Sequence, residues 1–448
     1  MSNPDITYRV LFRLIFLGMI LVSAIPVPLS WAGNPYKAYY STENDRLFWF
    51  LQITDLHIGT VGERDHDNLA WILSEARNII QPEFIVATGD LTDCSNGTGA
   101  LAGINGPYTE EWMEYRQILS DAGIQGADDY YDLPGNHDHY NDKDFAFYLN
   151  YSIQGARNGT TQVSWRKNFS FGTYHFMGIC TAGNDGAPFG LFDNSYGDHA
   201  GLDADELNYI EKELQRNQDA DLTLVFGHHP LPARRTSDPT DTYLTYGDPE
   251  FVRLMEDYGV SAYVYGHTHE GRKGVLVTEN SDGILDINAP ALGKDPGGGY
   301  QLIAIDCNGI STTRLTVEEW PVVMITAPMD IKAGADENPY AYSINDLNPK
   351  PVRALVFDTQ PISRVQFRID EGAWQTMEPA AENPNLWEAV WDEPSGLTGE
   401  HTLEVQAVGS STRSNQITIG TVEAATPAAV ENSTDNDGVG CFIGVLLP

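Results

Sequence analysis

Short apolar segments alternate with helical periodicity from Leu47 to about residue 310, and this alternation sets the fold class. Apolar residues recur at helical spacing over 69–80, Asp203 and Glu206 form a capping box, and Asp248 with Pro249 opens a third helix. Eight segments are predicted to be strands: 47–54, 84–88, 130–133, 174–180, 222–226, 262–265, 284–288 and 300–306. Strands that alternate with helices predict an α/β sheet protein.

The pattern changes near residue 320, where helical periodicity ends. Strand-like segments separated by Pro, Gly and Asn turns follow at 352–357, 365–369, 386–391, 401–408 and 416–419. This spacing predicts an all-β sandwich of the immunoglobulin-like or fibronectin-like kind over residues 320–420. The chain is therefore expected to contain two domains.

The first 32 residues resemble a secretory signal peptide. Arg9 and Arg13 form a basic start, residues 14–29 are apolar, and Ser30-Trp31-Ala32 places small residues at a cleavage site. An uncleaved N-terminal anchor is the alternative. We expect cleavage and export to the periplasm, the cell surface or the medium.

The four cysteines, Cys94, Cys180, Cys307 and Cys441, are scattered and do not suggest a disulfide framework. We expect ordinary buried thiols, with a disulfide between Cys180 and Cys307 left open. Cys441 lies in residues 421–448, which are predicted to be a flexible acidic linker and tail. That tail is expected to be a frayed terminus, with an anchoring role for Cys441 as the alternative.

Charge limits the partners of the chain. It carries 26 Lys and Arg against 63 Asp and Glu, a formal net charge of −37. A surface this negative repels nucleic acids and acidic membranes. An anionic substrate would need a local positive feature. Oligomeric state is left open.

Five polar clusters each follow a predicted strand, where loops at the carboxyl ends of a sheet build sites. They are Asp55-Leu56-His57, Gly89-Asp90-Leu91-Thr92-Asp93, Gly135-Asn136-His137-Asp138, Gly227-His228-His229-Pro230 and Gly266-His267-Thr268-His269. Each alone is weak evidence, because such motifs occur in ordinary turns. All five in this order indicate one functional site.

The residue types in these clusters favour a site for two metal ions. Imidazole and carboxylate together suit Zn²⁺, Mn²⁺ or iron, whereas Ca²⁺ or Mg²⁺ sites are nearly all oxygen. Two ions about 3.5–4 Å apart need a shared anionic ligand, so one carboxylate should bridge them.

These motifs resemble the signature of the calcineurin-like metallophosphoesterases, over about residues 45–315. The resemblance implies a four-layer αββα sandwich. It also implies ligands for the first ion at Asp55, His57 and His269, ligands for the second at Asn136, His228 and His267, and a bridging Asp90. By the same resemblance His137 is the general acid, and Asp138 orients its imidazole. Asp93 is expected only to support the Gly-Asp loop.

The resemblance implies an exported phosphoesterase that hydrolyses small phosphomonoesters or phosphodiesters with a metal-activated water. An exported phosphoesterase domain followed by a β-sandwich resembles the transmembrane protein 62 family, without its membrane-spanning part. Membrane or surface attachment therefore stays open. The alternative function is a surface interaction protein whose β-sandwich binds a partner and whose metal site is mainly structural.

Overall fold

The computed structural model describes residues 46–60, 64–95, 106–126, 128–182, 200–232, 243–278, 281–294, 297–347, 349–392 and 398–420. The predicted signal peptide and the predicted tail with Cys441 lie outside these residues. Within them, Cys94, Cys180 and Cys307 are buried free thiols, so no disulfide joins Cys180 to Cys307. No helix in this part of the chain has both the length and the apolar character needed to cross a membrane.

The first sheet has five strands in the order β11-β10-β1-β2-β3. Its strands are β1 (Leu47–Ile53), β2 (Ile85–Thr88), β3 (Tyr130–Leu133), β10 (Gly299–Asp306) and β11 (Gly309–Thr316). Strands β1, β2 and β3 run parallel, and β10 and β11 add an antiparallel edge. The carboxyl ends of the parallel strands therefore lie at one edge.

The second sheet has six strands in the order β4-β5-β6-β7-β9-β8. They are β4 (Val163–Phe169), β5 (Gly172–Gly178), β6 (Leu222–Phe226), β7 (Ala262–Tyr265), β8 (Lys273–Thr278) and β9 (Ser281–Asn288). The four central strands β5, β6, β7 and β9 are parallel, while β4 and β8 are antiparallel edges.

Helices cover the outer face of each sheet and complete the four-layer αββα arrangement. The first helix, α1 (Asp65–Trp71), continues through a π-helical turn (Ile72–Ala76) into α2 (Arg77–Ile80). The other described helices are α3 (Thr109–Asp121), α4 (Ala146–Tyr151), α5 (Ile153–Asn158), α6 (Ala204–Arg216) and α7 (Asp248–Asp257). Helices α1 to α5 pack on the first sheet, and α6 and α7 pack on the second. Between the two sheets lies an aromatic core that includes Phe50, Phe84, Trp165, Phe176 and Phe226.

The C-terminal part is an all-antiparallel β-sandwich with strand order β12-β15-β18-β17-β16-β19-β20. Its strands are β12 (Val322–Ala327), β15 (Lys350–Phe357), β16 (Arg364–Ile369), β17 (Gln375–Pro379), β18 (Leu386–Trp391), β19 (Glu400–Val408) and β20 (Thr412–Gly420). A small hairpin, β13 (Lys332–Ala333) with β14 (Asp336–Glu337), and a 3₁₀ turn (Ile344–Asp346) lie between β12 and β15. Alternate residues such as Val365, Phe367, Leu403 and Val405 fill its core. The immunoglobulin-like assignment stays a prediction.

The β-sandwich packs on the α/β part through a buried ion pair and an apolar contact. Arg353 Nη1 donates to Asp306 Oδ1 at 2.7 Å, and both side chains are buried. Beside them the rings of Trp49 and Phe357 lie 5.6 Å apart between centroids. Because a buried charge is stable only when paired, this contact fixes how the two parts pack together.

One local detail differs from the sequence prediction, and one confirms it. Helix α7 begins one residue earlier than expected, because Gly247 is the N-cap and Asp248 is the first helical residue rather than the cap. Asp203 and Glu206 do form the predicted capping box, each side chain accepting a backbone N–H of the other residue.

Candidate metal centre

All five polar clusters lie where parallel strands end. Asp55 follows β1, Asp90 follows β2 and Asn136 follows β3 in the first sheet, while His228 and His267 follow β6 and β7 in the second. Because the two sheets stack face to face with these ends on the same side, loops from both sheets meet. The side chains therefore converge from strands that are far apart in sequence.

The backbone is held in an uncommon conformation at five of the predicted ligands. Asp55, His57, Asp90, His267 and His269 have positive φ angles of 52°, 47°, 52°, 69° and 60°. A left-handed φ at a non-glycine residue costs of order 1–3 kcal/mol and clusters at functional sites. The fold therefore maintains a local strain that places these side chains.

Glycine permits the close approach of the strand ends. Gly89 has φ +97°, and a Cβ there would lie 2.6 Å from His228 Nδ1. That nitrogen instead contacts the Thr88 carbonyl oxygen at 2.8 Å. The residue before Asp90 must therefore be glycine if His228 is to approach the first sheet.

The three residues predicted to hold the first ion lie together. His269 Nε2 is 3.2 Å from Asp55 Oδ1, and His57 Nε2 is 3.9 Å from the same oxygen. One potential ligand atom from each residue falls within 4.8 Å of the others. Asp55 and His57 are fully buried, and His269 is partly exposed.

The three residues predicted to hold the second ion meet at one amide oxygen. Asn136 Oδ1 lies 3.0 Å from His228 Nε2 and 3.1 Å from His267 Nδ1. The Asn136 amide nitrogen donates to the Tyr140 hydroxyl at 2.7 Å, which turns the oxygen toward the histidines. His229, next in sequence, is buried and also falls within 4.8 Å of His228 and His267.

Asp90 lies between the two groups. Its Oδ2 is 3.5 Å from His57 Nε2 on one side and 3.3 Å from His228 Nε2 on the other. Its Oδ1 accepts the backbone N–H of His137 at 2.9 Å. A carboxylate in this position could be shared by two ions.

The electrostatics of the cluster fit a cation. Asp55 Oδ1 and His57 Nε2 are buried and make no well-aligned hydrogen bond with any described residue. Burial opposes ionisation of Asp55, but attraction to His269 and His228 outweighs burial and lowers the pKa of this carboxyl. Burial would likewise lower the pKa of His228, yet Asp90 and Asp55 raise it to about 10. The buried carboxylates therefore draw positive charge, which bound metal ions would supply.

The matches to known proteins agree with this geometry. The sequence pattern of the family described as Calcineurin-like phosphoesterase matches residues 48–271, half of the chain. The chain belongs to this family. The match spans all five polar clusters, and the described residues of the chain include four groups that could hold a metal ion.

Two relatives carry related names. The chain is 26% identical to Transmembrane protein 62 of Mus musculus over 391 residues, which are 85% of this chain and 56% of that protein. It is 26% identical over 283 residues to a protein of Arabidopsis thaliana named as a candidate metallophosphoesterase, covering 58% of this chain and 35% of the relative. The chain thus spans about half or less of the relatives it matches.

Two solved structures each match 61% of the chain. One is described as GAP50, the anchor in the inner membrane complex of Plasmodium, with a TM-score of 0.38, 15% identity, and coverage of 61% of this chain and 85% of that one. Another is a candidate 5′-nucleotidase from Staphylococcus aureus in complex with α-ketoglutarate, with a TM-score of 0.36, 16% identity, and coverage of 61% and 55%.

The environment of His137 differs from the sequence prediction. Its Nδ1 contacts the backbone carbonyl oxygen of Asp93 at 2.8 Å, and its Nε2 lies 4.0 Å from Asp90 Oδ2. Asp138, expected to orient this imidazole, instead accepts backbone N–H groups from Gly135, Leu91 and Thr92. A carboxylate that follows the turn directly satisfies the amides of that turn, so Asp138 ties two loops together and Asp93 orients His137.

Asp93 is a site residue whose role sequence reasoning missed. Its Oδ1 lies 3.0 Å from His57 Nδ1 and 3.2 Å from Lys294 Nζ, and its carbonyl holds His137. A second carboxylate in the Gly-Asp-x-x-Asp motif was the available signal. Because Asp93 contacts the Nδ1 side of His57, the Nε2 side is left facing the cluster.

Two further histidines lie next to predicted site residues. His229 is held by the Thr181 hydroxyl, 3.0 Å from its Nδ1, and that hydroxyl also accepts the backbone N–H groups of His228 and His229. The ring of His139 stacks on Phe145 with centroids 4.7 Å apart. Thr181 thus fixes the loop that carries His228, although no sequence motif marks it.

Proposed function

We propose that this protein is an exported metal-dependent phosphoesterase. Asp55, His57 and His269 would hold one ion, and Asn136, His228 and His267 the other, with Asp90 shared. The observation that supports this most strongly is that these seven side chains, from five strand ends in two sheets, converge on buried carboxylates. Five of the seven have left-handed backbone, which is energetically costly and is typical of functional sites.

The donor set suits the chemistry of the family. When bound, two divalent ions supply Lewis acidity and a water activated for attack at neutral pH. The chain's own residues then position the reacting groups. His137 keeps Nδ1 on the Asp93 carbonyl, so the protonated ring presents Nε2–H toward the Asp90 side of the cluster. That proton would pass from Nε2 to the leaving oxygen as the phosphorus–oxygen bond breaks.

The experiment is a phosphoester panel on metal-reconstituted full-length protein. Bis-p-nitrophenyl phosphate, p-nitrophenyl phosphate and alkyl phosphates are supplied with Mn²⁺, Zn²⁺ or Fe²⁺, and the protein dialysed against chelator is the control. Turnover that requires metal supports the proposal. Two bound ions without turnover on any ester of the panel would favour the alternative, a surface interaction protein with a structural metal site.

Export is a separate part of the proposal and rests on residues 1–32 alone. The basic start, apolar run and small-residue site are the features of a cleaved signal peptide. Fractionation of the native host tests it: mature protein outside the cytoplasm, beginning near Gly33, is expected. Full-length protein retained in the cytoplasm would contradict export while leaving the phosphoesterase activity untouched.

A further inference from the structure

Lys294 brings an ammonium group to the edge of the metal centre. Its Nζ lies 3.2 Å from Asp93 Oδ1, and Asp93 contacts His57 and His137. The Lys294 side chain is 33% exposed, whereas that of Asp93 is 7% exposed. One side of the ammonium is therefore paired with the site, and the other faces solvent.

The loop that carries Lys294 is fixed to the first metal-ligand loop. It follows β9, another parallel strand of the second sheet. The backbone N–H of Leu292 donates to the Thr54 carbonyl at 3.0 Å, and that of Gly293 donates to the Asp55 carbonyl at 2.9 Å. Gly293 lies so close to Leu56 that a Cβ would clash with its carbonyl oxygen. The position of Lys294 is thus set by the backbone of Asp55.

The charge of Lys294 stands out in this chain. Lysine is scarce, with eight residues in 448, and the net charge is −37. The Lys294 ammonium lies 3.2 Å from the Asp93 carboxylate oxygen that contacts His57, so its positive charge is held close to the cluster. An anionic substrate that approaches the site therefore meets a cation supplied by the chain itself.

We propose that Lys294 binds a terminal phosphate oxygen of the substrate and makes this site favour phosphomonoesters over phosphodiesters. This inference rests on the proposed function and names its substrate class. A phosphomonoester above pH 7 is a dianion with three terminal oxygens, whereas a diester is a monoanion with two. Bound metal ions would hold terminal oxygens that both classes of ester possess. The third oxygen and the second charge exist only in the monoester, and they would bind Lys294.

The test compares Lys294→Met with wild type on p-nitrophenyl phosphate and bis-p-nitrophenyl phosphate at pH 8. We expect kcat/KM for the monoester to fall about tenfold or more, chiefly through KM, and to fall less than threefold for the diester. The inhibition constant of inorganic phosphate should rise in parallel with the monoester KM. Lys294→Arg, which keeps the charge, should retain most of the monoester preference.

Lys273 offers a matched control. It pairs with Asp330 at 3.2 Å and is 34% exposed, but it lies against the β-sandwich. Lys273→Met should leave kcat/KM unchanged on both substrates. Equal losses on both esters in Lys294→Met, or an unchanged phosphate inhibition constant, would overturn the inference. A wild type inactive on these two and on every other ester of the panel would instead refute the proposed function. If Lys294→Met lost metal or stability, Lys294→Gln would be tested instead, with the same comparison of kcat/KM on the monoester and the diester.

Discussion

Asp93 Oδ1 lies 3.0 Å from His57 Nδ1, on the side of the imidazole that faces away from the metal cluster. This contact favours the tautomer with the proton on Nδ1 and leaves the Nε2 lone pair directed at Asp55 and Asp90. Such carboxylate–histidine contacts orient metal ligands and tune their basicity. The candidate metal centre therefore depends on a residue that is not itself a predicted ligand.

Removing that carboxylate should weaken metal binding. In Asp93→Ala, His57 loses the partner of its Nδ1, so we expect metal affinity to fall about 10–100-fold. Calorimetric titration with Mn²⁺ or Zn²⁺ measures this directly. Asp93→Asn keeps an acceptor oxygen, so its metal affinity should fall less than that of Asp93→Ala. An unchanged dissociation constant in Asp93→Ala would show that His57 needs no such support.

The role of His137 predicts a dependence on the leaving group. His137→Ala should keep its metal ions, because the predicted ligands are intact. Its rate should fall about 10²–10⁴-fold on alkyl phosphates, which need a proton on the departing oxygen, and much less on p-nitrophenyl phosphate. Rates on both substrates, with metal content by elemental analysis, form the measurement. Equal losses on the two would exclude His137 as the acid.

Asp138 should behave differently from His137 despite being its neighbour. It accepts three backbone N–H groups and the Thr92 hydroxyl, so its removal leaves buried donors unpaired. We expect Asp138→Ala to be destabilised by about 2–4 kcal/mol, with losses that do not depend on the leaving group. Chemical denaturation of the metal-free protein measures the first effect. A variant as stable as wild type would contradict this structural role.

Much of the α/β fold follows from its sequence because parallel central strands are buried on both faces. Strands β3, β6 and β7 match the predicted bounds, and each is short, mostly apolar and buried at every position. The prediction missed β4 and β11, which lie at sheet edges and consist largely of polar residues that are only partly buried. It also missed β17, where a single buried residue, Met377, marks the strand.

The identity of the site residues was predictable, but their connections were not. Ligand types appear in the sequence as local motifs, so Asp55, Asp90 and His267 stand out individually. The contacts of Asp93 with His57 and of Lys294 with Asp93 join loops that are distant in sequence. Asp138 was predicted to orient His137 because the two are adjacent in sequence, but the His137 ring contacts the carbonyl oxygen of Asp93 instead.

A buried histidine outside the site predicts a pH dependence of stability. His175 is fully buried between Ser164 and Thr223, and burial lowers its pKa to about 4. In the unfolded chain this histidine binds a proton near pH 6.5, whereas in the native state it does so only near pH 4. The free energy of unfolding should therefore fall by up to about 3 kcal/mol as the pH falls from 6.5 to 4, and should change little above pH 6.5. The difference in unfolding free energy between wild type and His175→Gln should therefore change with pH between about 6.5 and 4 and stay constant above about 6.5. A pH-independent difference would contradict it.

The buried ion pair between the two parts of the chain predicts a large stability effect. Arg353→Met would leave Asp306 buried without its partner, which costs about 3–5 kcal/mol. Replacing both residues, as in Arg353→Met with Asp306→Leu, should recover part of this loss. Thermal unfolding of the three proteins measures it. A single variant as stable as wild type would show that the pair does not hold the parts together.

Asp90 is the residue on which the dinuclear account depends most, because its Oδ2 faces His57 and His228 at once. Equilibrium dialysis against Mn²⁺ or Zn²⁺ followed by elemental analysis counts the ions held by the wild type and by Asp90→Asn, which keeps the shape of the side chain but not its charge. The account predicts two ions per chain in the wild type and no more than one in the variant. A wild type that binds a single ion, or a variant that still holds two with unchanged affinity, would contradict it.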